Sequence, residues 1–399
     1  MIIQLKFSNF YSFAEETELS FELGKKPSAS AFDIEVSSTR RLNKAAAVIG
    51  ANGSGKTQLV KPLAFLSWFV GNSFLGSDPE EPIPYQPHAL KRDEPTQFEI
   101  TFLNQGEEYR YKLVLSHGRV IHESLHKKTS HLFSYIFSRD ADSNADNNPS
   151  YSYKQQGFGF AAPKAKQIRS NASLISAAHN YDVELASAFV RYFDQYSYNI
   201  NVAGRHHFHS GNVLESAEFF YRNEELHSRM EELICEFDLG LCKISINEAE
   251  AQDQRGNSSK IFIPYATHTA EGGEFKLPLL EESSGTQSAF VLLRRILPVL
   301  ANGGVAIIDE IDNDLHPHML PHILELFKFK HTNPHQAQIV FTCHTPEVLN
   351  LFKKHQIFLV EKQNQESEAW RLDEVTGLRA DDNLYAKYMA GALSAVPNL

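Results

Sequence analysis

Residues 50–57 (GANGSGKT) combine a glycine-rich loop with a lysine and a threonine, which is a full Walker A motif. Glycines let backbone amides close around phosphate oxygens, because no Cβ blocks the approach. In this chemistry Lys56 reaches the terminal phosphates and the Thr57 hydroxyl binds Mg²⁺. An apolar run precedes the loop and a helical pattern follows it, as the motif requires. The segment therefore predicts a nucleoside triphosphate site formed by Gly50, Asn52, Gly53, Ser54, Gly55, Lys56 and Thr57.

Two adjacent carboxylates, Asp309 and Glu310, follow the apolar residues 305–308. Open α/β sheets bind ligands at the carboxyl ends of their strands. We therefore expect Asp309 to support Mg²⁺ and Glu310 to polarise a water for in-line attack on the γ-phosphate. An apolar strand that ends in two acids is common by itself. It becomes specific because the same chain carries the Walker A loop.

Two weaker signals come from residues 282–287 (ESSGTQ) and from His344. A Ser-Gly pair at the start of a helix offers free backbone amides to an anion, although an ordinary helix N-cap has the same composition. His344 ends the strand pattern of residues 341–344. A lone histidine is usually structural, but this one also lies at the carboxyl end of a strand.

Hydrophobic periodicity predicts the elements that position these residues. Residues 71–95 are rich in proline and predict an irregular connection, and the polar residues 140–160 predict a surface loop. The regular elements expected are strands at 3–7, 18–23 and 45–49, a helix at 57–70, an antiparallel meander over 98–127, helices at 170–196 and 211–237, and strands near 243–246 and 261–265. The last third then alternates helices (285–301, 316–330, 346–353) with strands (305–308, 339–341, 357–360), an order that predicts a largely parallel sheet.

The order Walker A, Ser-Gly-Thr-Gln, Asp-Glu, strand-His is that of ABC-type ATPase heads. The chain resembles the soluble SMC-like and abortive-infection branch of that superfamily more closely than its transporter branch. The resemblance covers nearly the whole chain and is least specific over residues 130–240. It is carried by residues 3–13 (IQLKFSNFYSF), 50–55, 282–287, 309–317 (DEIDNDLHP) and 386–398 (AKYMAGALSAVPN).

The resemblance implies an α/β P-loop NTPase of the ABC-ATPase head type. Its mixed, mainly parallel sheet would be joined by an antiparallel β meander and an inserted helical lobe. The implied division is an N-terminal lobe (1–135) with Walker A and the meander, a helical insertion (136–250), and a C-terminal lobe (251–399) with the signature, Walker B and the His switch.

The resemblance also implies the roles of the site residues, with ATP and Mg²⁺ as ligands. Lys56 and Thr57 bind phosphate and Mg²⁺, Asp309 supports the metal, Glu310 is the catalytic base, and His344 senses the γ-phosphate. Heads of this type sandwich ATP between two subunits, so the signature residues Ser284, Gly285 and Gln287 would cap a nucleotide held by another copy. Asp312 falls in the family's dimer-contact loop. Thr286 stands where transporter heads have a second glycine. The glutamine that couples the lobes would be Gln86 or Gln97, although both could equally be loop residues.

The composition of the chain argues against several classes of protein. The net charge of −11 disfavours non-specific coating of nucleic acid, and the pairs Arg40-Arg41, Lys127-Lys128 and Lys353-Lys354 are more typical of solvated surface than of a DNA groove. Three scattered cysteines (Cys235, Cys242, Cys343) predict neither a disulfide framework nor a Cys-rich zinc site. We find no secretion signal and no apolar stretch long enough to span a membrane, so we expect a cytoplasmic protein.

Two further clusters of polar residues are better explained as ordinary surface features than as metal or nuclease sites. Residues 205–209 (RHHFH) invite a metal interpretation, but their spacing and the absence of nearby cysteines or carboxylates favour a solvated or partner-facing loop. Asp381 and Asp382 are more typical of a helix cap or surface feature than of a nuclease centre.

The leading hypothesis is the ATPase sensor or regulator of a two-component phage-defence system of the abortive-infection type. ATP would drive formation of a homodimer or higher ring with shared sites, hydrolysis would be slow and gated, and a phage-encoded trigger would act on the assembly. Overcoming-lysogenization-defect relatives carry a nuclease domain after their ATPase, and residues 311–399 leave no room for one. The effector, a nuclease or toxin, would then be a separate protein meeting residues 130–240. The alternatives are a DNA-repair or recombination head that acts directly on nucleic acid, and a scaffold that binds ATP without hydrolysis.

Overall fold

The computed structural model describes the chain except for residues 24–27, 143–149, 202, 207, 238–239, 253–257, 314, 316–317, 380–381, 394 and 396–399. The chain forms two compact units. Unit 1 comprises Met1–Arg205, Gly304–Glu310 and Gln336–Leu399, and unit 2 comprises His206–Gly303 and Ile311–His335.

The regular elements among the described residues are the following. The strands are β1 (Ile2–Ser8), β2 (Thr17–Ser20), β3 (Glu22–Leu23), β4 (Asp33–Ser37), β5 (Arg40–Asn43), β6 (Ala45–Gly50), β7 (Thr96–Asn104), β8 (Glu107–Ser116), β9 (Arg119–Lys128), β10 (Phe133–Ala141), β11 (Tyr151–Gln155), β12 (Tyr196–Tyr198), β13 (Ile200–Asn201), β14 (Gly204–Arg205), β15 (Leu241–Gln252), β16 (Ser258–Ala270), β17 (Gly273–Pro278), β18 (Val305–Ile308), β19 (Gln338–Cys343), β20 (Ile357–Gln363) and β21 (Glu366–Arg371). The α-helices are α1 (Lys56–Gly76), α2 (Ala162–Gln167), α3 (Leu174–Asn180), α4 (Glu184–Asp194), α5 (Ser210–Tyr221), α6 (Glu224–Phe237), α7 (Ser284–Asn302), α8 (Met319–Glu325) and α9 (Leu384–Met389), and 3-10 turns lie at Leu279–Glu281, Pro346–Asn350, Lys354–Gln356 and Leu372–Glu374.

The central sheet of unit 1 has the strand order β12-β18-β19-β6-β20-β21. All neighbouring pairs are parallel except β20 and β21. Every residue of β6, β18 and β19 is buried, which explains their continuous apolar runs, since strands covered on both faces need no polar side. The register places Cys343 beside Ile49 and Phe341 beside Ile308, so the carboxyl ends of these three strands meet at one edge.

A second sheet in unit 1 is antiparallel, with the order β11-β10-β9-β8-β7-β1-β2. Its strands alternate buried and solvated residues, as strand β8 shows most clearly. Helix α1 packs against this sheet through Phe65, whose ring lies 5.2 Å from that of Phe98 and 6.4 Å from that of Phe10. Thus α1, which begins in the glycine-rich loop, is held in the main core of the unit.

A fully buried ion pair joins the antiparallel sheet to α3. Arg139 of β10 donates to Glu123 of β9 at 2.7 Å, and neither side chain has any exposed surface. Glu123 also accepts hydrogen bonds from the Tyr111 hydroxyl (2.9 Å), the Ser173 hydroxyl (2.8 Å) and the Leu174 amide (2.9 Å). The carboxylate is therefore saturated by donors from two other strands and a helix start, which is the condition for burying a charge.

Unit 2 consists of helices α5 to α8 and the antiparallel sheet β15-β16-β17. Ring contacts link its elements: Phe220 of α5 lies 5.2 Å from Phe290 of α7, and Tyr221 lies 4.8 Å from Phe262 of β16. The helices thus cover the sheet and one another through an aromatic core.

The structure confirms the predicted α/β P-loop fold, with a mainly parallel sheet and an antiparallel meander. Several element boundaries were wrong. The 18–23 strand is split between β2 and β3, α1 continues to Gly76, and the 140–160 loop contains β11, whose Tyr151 and Tyr153 are buried. Positions 143–149 of that loop lie outside the described residues.

Long predicted helices are also shorter or divided. The 170–196 pattern is broken between α3 and α4, where Asp182 has a φ of 60°. The 211–237 pattern is likewise two helices, α5 and α6. The 316–330 helix is reduced to α8, with residues 316–317 outside the described part, and 346–353 is a short 3-10 turn.

The compact units do not coincide with the lobes 1–135, 136–250 and 251–399. Residues 136–205 belong to unit 1, because β10 and β11 extend the meander sheet and α3 and α4 pack on α1. Among the described residues, no helix has the length and apolarity needed to cross a bilayer.

Candidate functional site

The glycine-rich loop connects β6 to α1 at the carboxyl edge of the parallel sheet. Gly55, the residue before α1, has a φ of 110°, in the left-handed region that favours glycine. A Cβ on Gly55 would lie 2.6 Å from the Ser367 hydroxyl, and one on Gly50 would lie 2.2 Å from the carbonyl oxygen of Val360. Close packing therefore requires glycine at both positions, and at Gly55 the backbone angle favours it as well.

Two serines from distant parts of unit 1 hold this loop. The hydroxyls of Ser12 and Ser367 lie 2.6 Å apart, and Ser367 donates to the Ser54 carbonyl at 2.7 Å. The amide of Ser12 also donates to the Gln58 side chain at 3.2 Å. The Ser54 hydroxyl is buried and has no hydrogen-bond partner among the described residues. A buried hydroxyl of this kind in a loop of closely packed backbone fits a polar ligand such as a phosphate.

Lys56 is buried and its ammonium group lies within the loop. It donates to the carbonyls of Gly50 at 2.9 Å and Ala51 at 3.1 Å, and lies 3.4 Å from His344 Nδ1. The side chain therefore places a positive charge inside the curve of the loop, where the Walker A chemistry requires it.

Asp309 follows the end of β18, is almost fully buried, and accepts hydrogen bonds from two hydroxyl groups. Thr57 donates to its two carboxylate oxygens at 3.0 and 2.9 Å, and Thr342 of β19 donates to Oδ1 at 2.7 Å. Burial raises the pKa of Asp309, and the hydrogen bonds from Thr342 and Thr57 offset part of that rise. The parallel register of β18 and β19 explains why residues 33 positions apart meet.

Asn199, which follows β12, fixes the backbone of Asp309. Its Oδ1 accepts the Asp309 amide at 2.7 Å, and its Nδ2 donates to the Asp309 carbonyl at 2.9 Å. Because β12 pairs in parallel with β18, this amide side chain occupies the edge of the sheet next to the carboxylate. Gln86 and Gln97, the predicted candidates for the glutamine that couples the lobes, are both exposed, and Gln97 lies within β7.

Glu310 has a strained backbone and a carboxylate held from two sides. Its φ is 49°, and its amide donates to the Thr342 hydroxyl at 2.7 Å. Arg205 donates to Oε2, and His344 Nε2 lies 3.2 Å from Oε1. Burial opposes ionisation, but His344 and Arg205 together keep the pKa of Glu310 below its ordinary value. The carboxylate is therefore ionised and partly neutralised by its neighbours.

The residues present fit Mg²⁺ as well as a nucleotide. Thr57 and Asp309 supply a hydroxyl and a carboxylate, the oxygen donors that this cation prefers. Both stand at the end of the loop that carries Lys56. Elsewhere in the described residues, no three His, Cys, Asp or Glu side chains form a group that could hold a metal ion.

The predicted signature residues lie in unit 2, at the start of α7. The Ser283 hydroxyl accepts the Thr286 amide at 3.2 Å, so Ser283 is the N-cap, and Ser284 follows it in an exposed position. The side-chain Nε2 of Gln287 donates to the carbonyls of Leu280 (3.1 Å) and Glu282 (2.9 Å), and these bonds fix the preceding loop. The helix start thus combines an N-cap with an exposed first turn, and both interpretations of the motif remain compatible with it.

The structure brings together the predicted residues Lys56, Thr57, Asp309, Glu310 and His344, and it adds Arg205, Asn199 and Thr342. Thr342 could have been found from the sequence, because it is a polar residue within an apolar strand pattern and lies two positions before His344. The interpretation of 205–209 as a solvated loop is wrong for Arg205, which is in β14 and only 14% exposed because it pairs with Glu310.

The remaining residues of that cluster belong to unit 2. The His209 amide donates to Asn212 Oδ1 at 3.0 Å at the start of α5. Several motif positions named in the sequence analysis lie outside the described residues: His207, Asp314, His316, Pro317, Asp381, Ser394 and residues 396–398. Asp382 accepts hydrogen bonds from the Arg379 amide and from Lys387, both at 2.7 Å.

Solved structures similar to the chain include three SMC heads. One, an SMC head bound to the C-winged helix domain of ScpA, has 12% identity and a TM-score of 0.49, and the match covers 94% of this chain and 99% of that one. The SMC head domain from Thermotoga maritima has 14% identity, a TM-score of 0.43 and coverage of 93% and 98%. An SMC head with an extended coiled coil, bound to the C-terminal domain of ScpA and derived from Pyrococcus furiosus, has 13% identity, a TM-score of 0.45 and coverage of 94% and 97%.

A search of curated proteins finds no match to the sequence. A family model described as "AAA domain, putative AbiEii toxin, Type IV TA system" matches residues 45–350. The match spans more than half of the chain and includes the glycine-rich loop, the signature, both carboxylates and His344. The chain therefore belongs to this family of AAA-domain ATPases.

Proposed function

We propose that the chain binds and hydrolyses ATP, and that it is the sensor or regulator of a phage-defence system of the abortive-infection type. ATP-dependent assembly would control a separate effector such as a nuclease or toxin. The observation that carries the ATPase part is the meeting of Lys56, Thr57, Asp309 and Glu310 at one edge of a parallel sheet. The family description, which names a toxin and a toxin–antitoxin system, supports the defence part.

Binding uses charge and backbone donors of the glycine-rich loop. Lys56 would exchange its contacts with the Gly50 and Ala51 carbonyls for the terminal phosphates, since its ammonium group already lies inside the loop. Amides of residues 52–57 would donate to the phosphate oxygens. Thr57 and Asp309 would hold Mg²⁺, which when bound supplies positive charge against the phosphates.

Hydrolysis requires a group that orients water and accepts its proton. Glu310 is suited to this because its backbone is fixed by Thr342 and its side chain is 34% exposed, within reach of solvent. His344 contacts both Glu310 and Lys56, so it can respond to the γ-phosphate and to the base together. Phosphoryl transfer depends mainly on such positioning and electrostatics.

Assembly would complete the site through the signature of a second copy. Ser284 and Gly285 occupy the first turn of α7, whose amides have no partners within the helix, and Ser284 is exposed. A helix start with these properties can bind the γ-phosphate of a nucleotide held elsewhere. We propose a homodimer or higher ring on this basis, with residues 130–240 meeting the effector and a phage product acting as the trigger.

The first experiment compares Lys56→Ala and Glu310→Gln with the wild-type protein. Lys56→Ala should abolish binding of an ATP analogue, because the buried cation that faces the phosphates is lost. Glu310→Gln should retain binding but lower the rate of phosphate release by about 10²–10⁴-fold. Binding is measured by calorimetry and hydrolysis by phosphate release.

Two matched variants control for general damage. Lys44→Ala removes another buried lysine, and Glu99→Gln removes a carboxylate that pairs with two cations, Arg110 and Lys112, on the antiparallel sheet. Both should retain binding and turnover. Unaltered hydrolysis in Glu310→Gln would remove that residue from the role of base, and normal affinity in Lys56→Ala would refute the proposed phosphate site.

The defence part is tested in cells challenged with phage. Cells carrying this gene and its neighbouring open reading frame should survive as a population, and Lys56→Ala or Glu310→Gln should remove the protection. Protection that persists without ATP binding would contradict control by this ATPase.

A further inference from the structure

The ion pair between Arg205 and Glu310 joins two points at which the chain passes from unit 1 to unit 2. Arg205 is the last residue of the first segment of unit 1, and His206 begins unit 2. Glu310 is the last residue of the second segment, and Ile311 re-enters unit 2. Glu310, the proposed base, is therefore ion-paired with Arg205, and the chain enters unit 2 directly after each of these residues.

The pair engages the reactive group itself. Arg205 donates to Oε2 of Glu310, and Nε2 of His344 lies 3.2 Å from Oε1. The arginine side chain is only 14% exposed, so water screens the interaction less than in a surface pair. A base that must accept a proton from water needs an oxygen lone pair, and the guanidinium competes for the lone pairs of Oε2.

The backbone of Glu310 limits how the carboxylate can escape. Thr342 accepts its amide hydrogen, and the φ of 49° is one that non-glycine residues adopt at a cost. Movement of the carboxylate must therefore come from its side-chain torsions or from a displacement of Arg205. Arg205 lies in the two-residue strand β14, which pairs only with the equally short β13 within the described sheet. Strand β18, by contrast, pairs with a neighbour on each side, so β14 has fewer backbone hydrogen bonds to break when it is displaced.

We propose that Arg205 is a positioning residue that restrains Glu310, and that displacement of Arg205 frees the carboxylate for catalysis. The inference rests on the proposed role of Glu310 as base. Its consequence is that hydrolysis is slow while the pair is intact and becomes faster when ATP-driven assembly or effector release displaces Arg205. An arginine that instead stabilised the phosphate in the transition state would have the opposite effect on turnover.

The test is the steady-state kinetics of Arg205→Ala at saturating protein concentration. We expect kcat to rise by about ten-fold while KM for ATP stays within about two-fold, because Arg205 acts on the base and not on the bound nucleotide. Arg205→Lys, which keeps the charge but lacks the planar fork, should give a smaller rise. An unchanged or lower kcat in Arg205→Ala overturns the proposal.

Two controls separate this effect from altered folding and from failure of the ATPase assignment. Arg41→Ala breaks a comparable pair, with Asp33, in which the arginine is 15% exposed, and it should leave kcat unchanged. The double variant Arg205→Ala/Glu310→Gln should be as slow as Glu310→Gln alone. If Glu310→Gln loses hydrolysis but Arg205→Ala does not raise kcat, the proposed restraint by Arg205 is refuted and the ATPase assignment is retained. If Glu310→Gln hydrolyses ATP at the wild-type rate, the assignment of Glu310 as the base is refuted.

Discussion

Two of the arginine–glutamate pairs in unit 1, Arg139–Glu123 and Arg205–Glu310, differ in how completely the carboxylate is enclosed. Glu123 and Arg139 have no exposed surface, and Glu123 accepts from Tyr111, Ser173 and Leu174 as well. Glu310 is 34% exposed, and among the described residues its side chain is held by Arg205 and His344. A saturated carboxylate can do nothing but hold elements together, whereas a half-exposed one with few donors can change partners. The difference separates structural from chemical use of the same residue types.

The strongest test of this contrast is the stability of Glu123→Gln. Removal of the charge leaves Arg139 as an uncompensated buried cation, so the free energy of unfolding should fall by about 3–5 kcal/mol. Urea unfolding followed by circular dichroism measures it. Glu218→Gln, which breaks an exposed pair with Arg222 on α5, should cost less than about 1 kcal/mol. Equal losses in the two variants would mean that enclosure does not determine the importance of a pair.

A second test asks where the rigidity of the catalytic pair resides. Thr342→Val removes the hydroxyl that accepts the Glu310 amide and donates to Asp309, so kcat should fall by about 10–100-fold through misplacement of both acids. Phosphate release and ATP-analogue binding are measured together. Thr101→Val is the matched control, because Thr101 is buried in β7 and its hydroxyl has no partner among the described residues. Full activity in Thr342→Val would show that strand β18 alone positions the acids.

The smallest expected effect is that of Glu310→Gln on stability. Because the Glu310 carboxylate is 34% exposed, water can replace part of its lost contacts, so the free energy of unfolding should fall by about 1 kcal/mol, well below the loss expected for Glu123→Gln and despite the large loss of turnover. The same urea titration measures it beside Glu123→Gln. A loss as large as that of Glu123→Gln would assign Glu310 a structural role and remove the contrast.

The sequence predicts the parts of the site whose signals are local. Gly50 to Thr57, Asp309 with Glu310, and His344 each follow an apolar strand directly, so their placement at one sheet edge follows from parallel pairing. Arg205 and Asn199 carry no such signal. Asn199 reaches the site because it follows the three-residue strand β12, which pairs with β18 so that Tyr196 lies beside Val305, 109 positions later. Arg205 lies in the short strand β14. Short strands of mixed polarity do not specify their partners.

The same reasoning accounts for the errors in the fold. Strand β11 follows a polar segment, and its burial depends on pairing with β10 and not on its own composition. The breaks between α3 and α4 and between α5 and α6 occur within patterns whose apolar spacing continues through them. Tertiary packing decides such boundaries, and periodicity alone predicts one helix where the chain makes two.

The position of β6 in the sheet determines when the glycine-rich loop can form during synthesis. This strand ends at Gly50, yet its two neighbours are β19 and β20, which span Gln338–Cys343 and Ile357–Gln363. Until residue 363 has left the ribosome, this apolar strand has at least one unpaired edge, which is a condition that invites chaperone binding or misassociation. The nascent chain therefore gains its phosphate-binding loop late, after all of unit 2 has been translated.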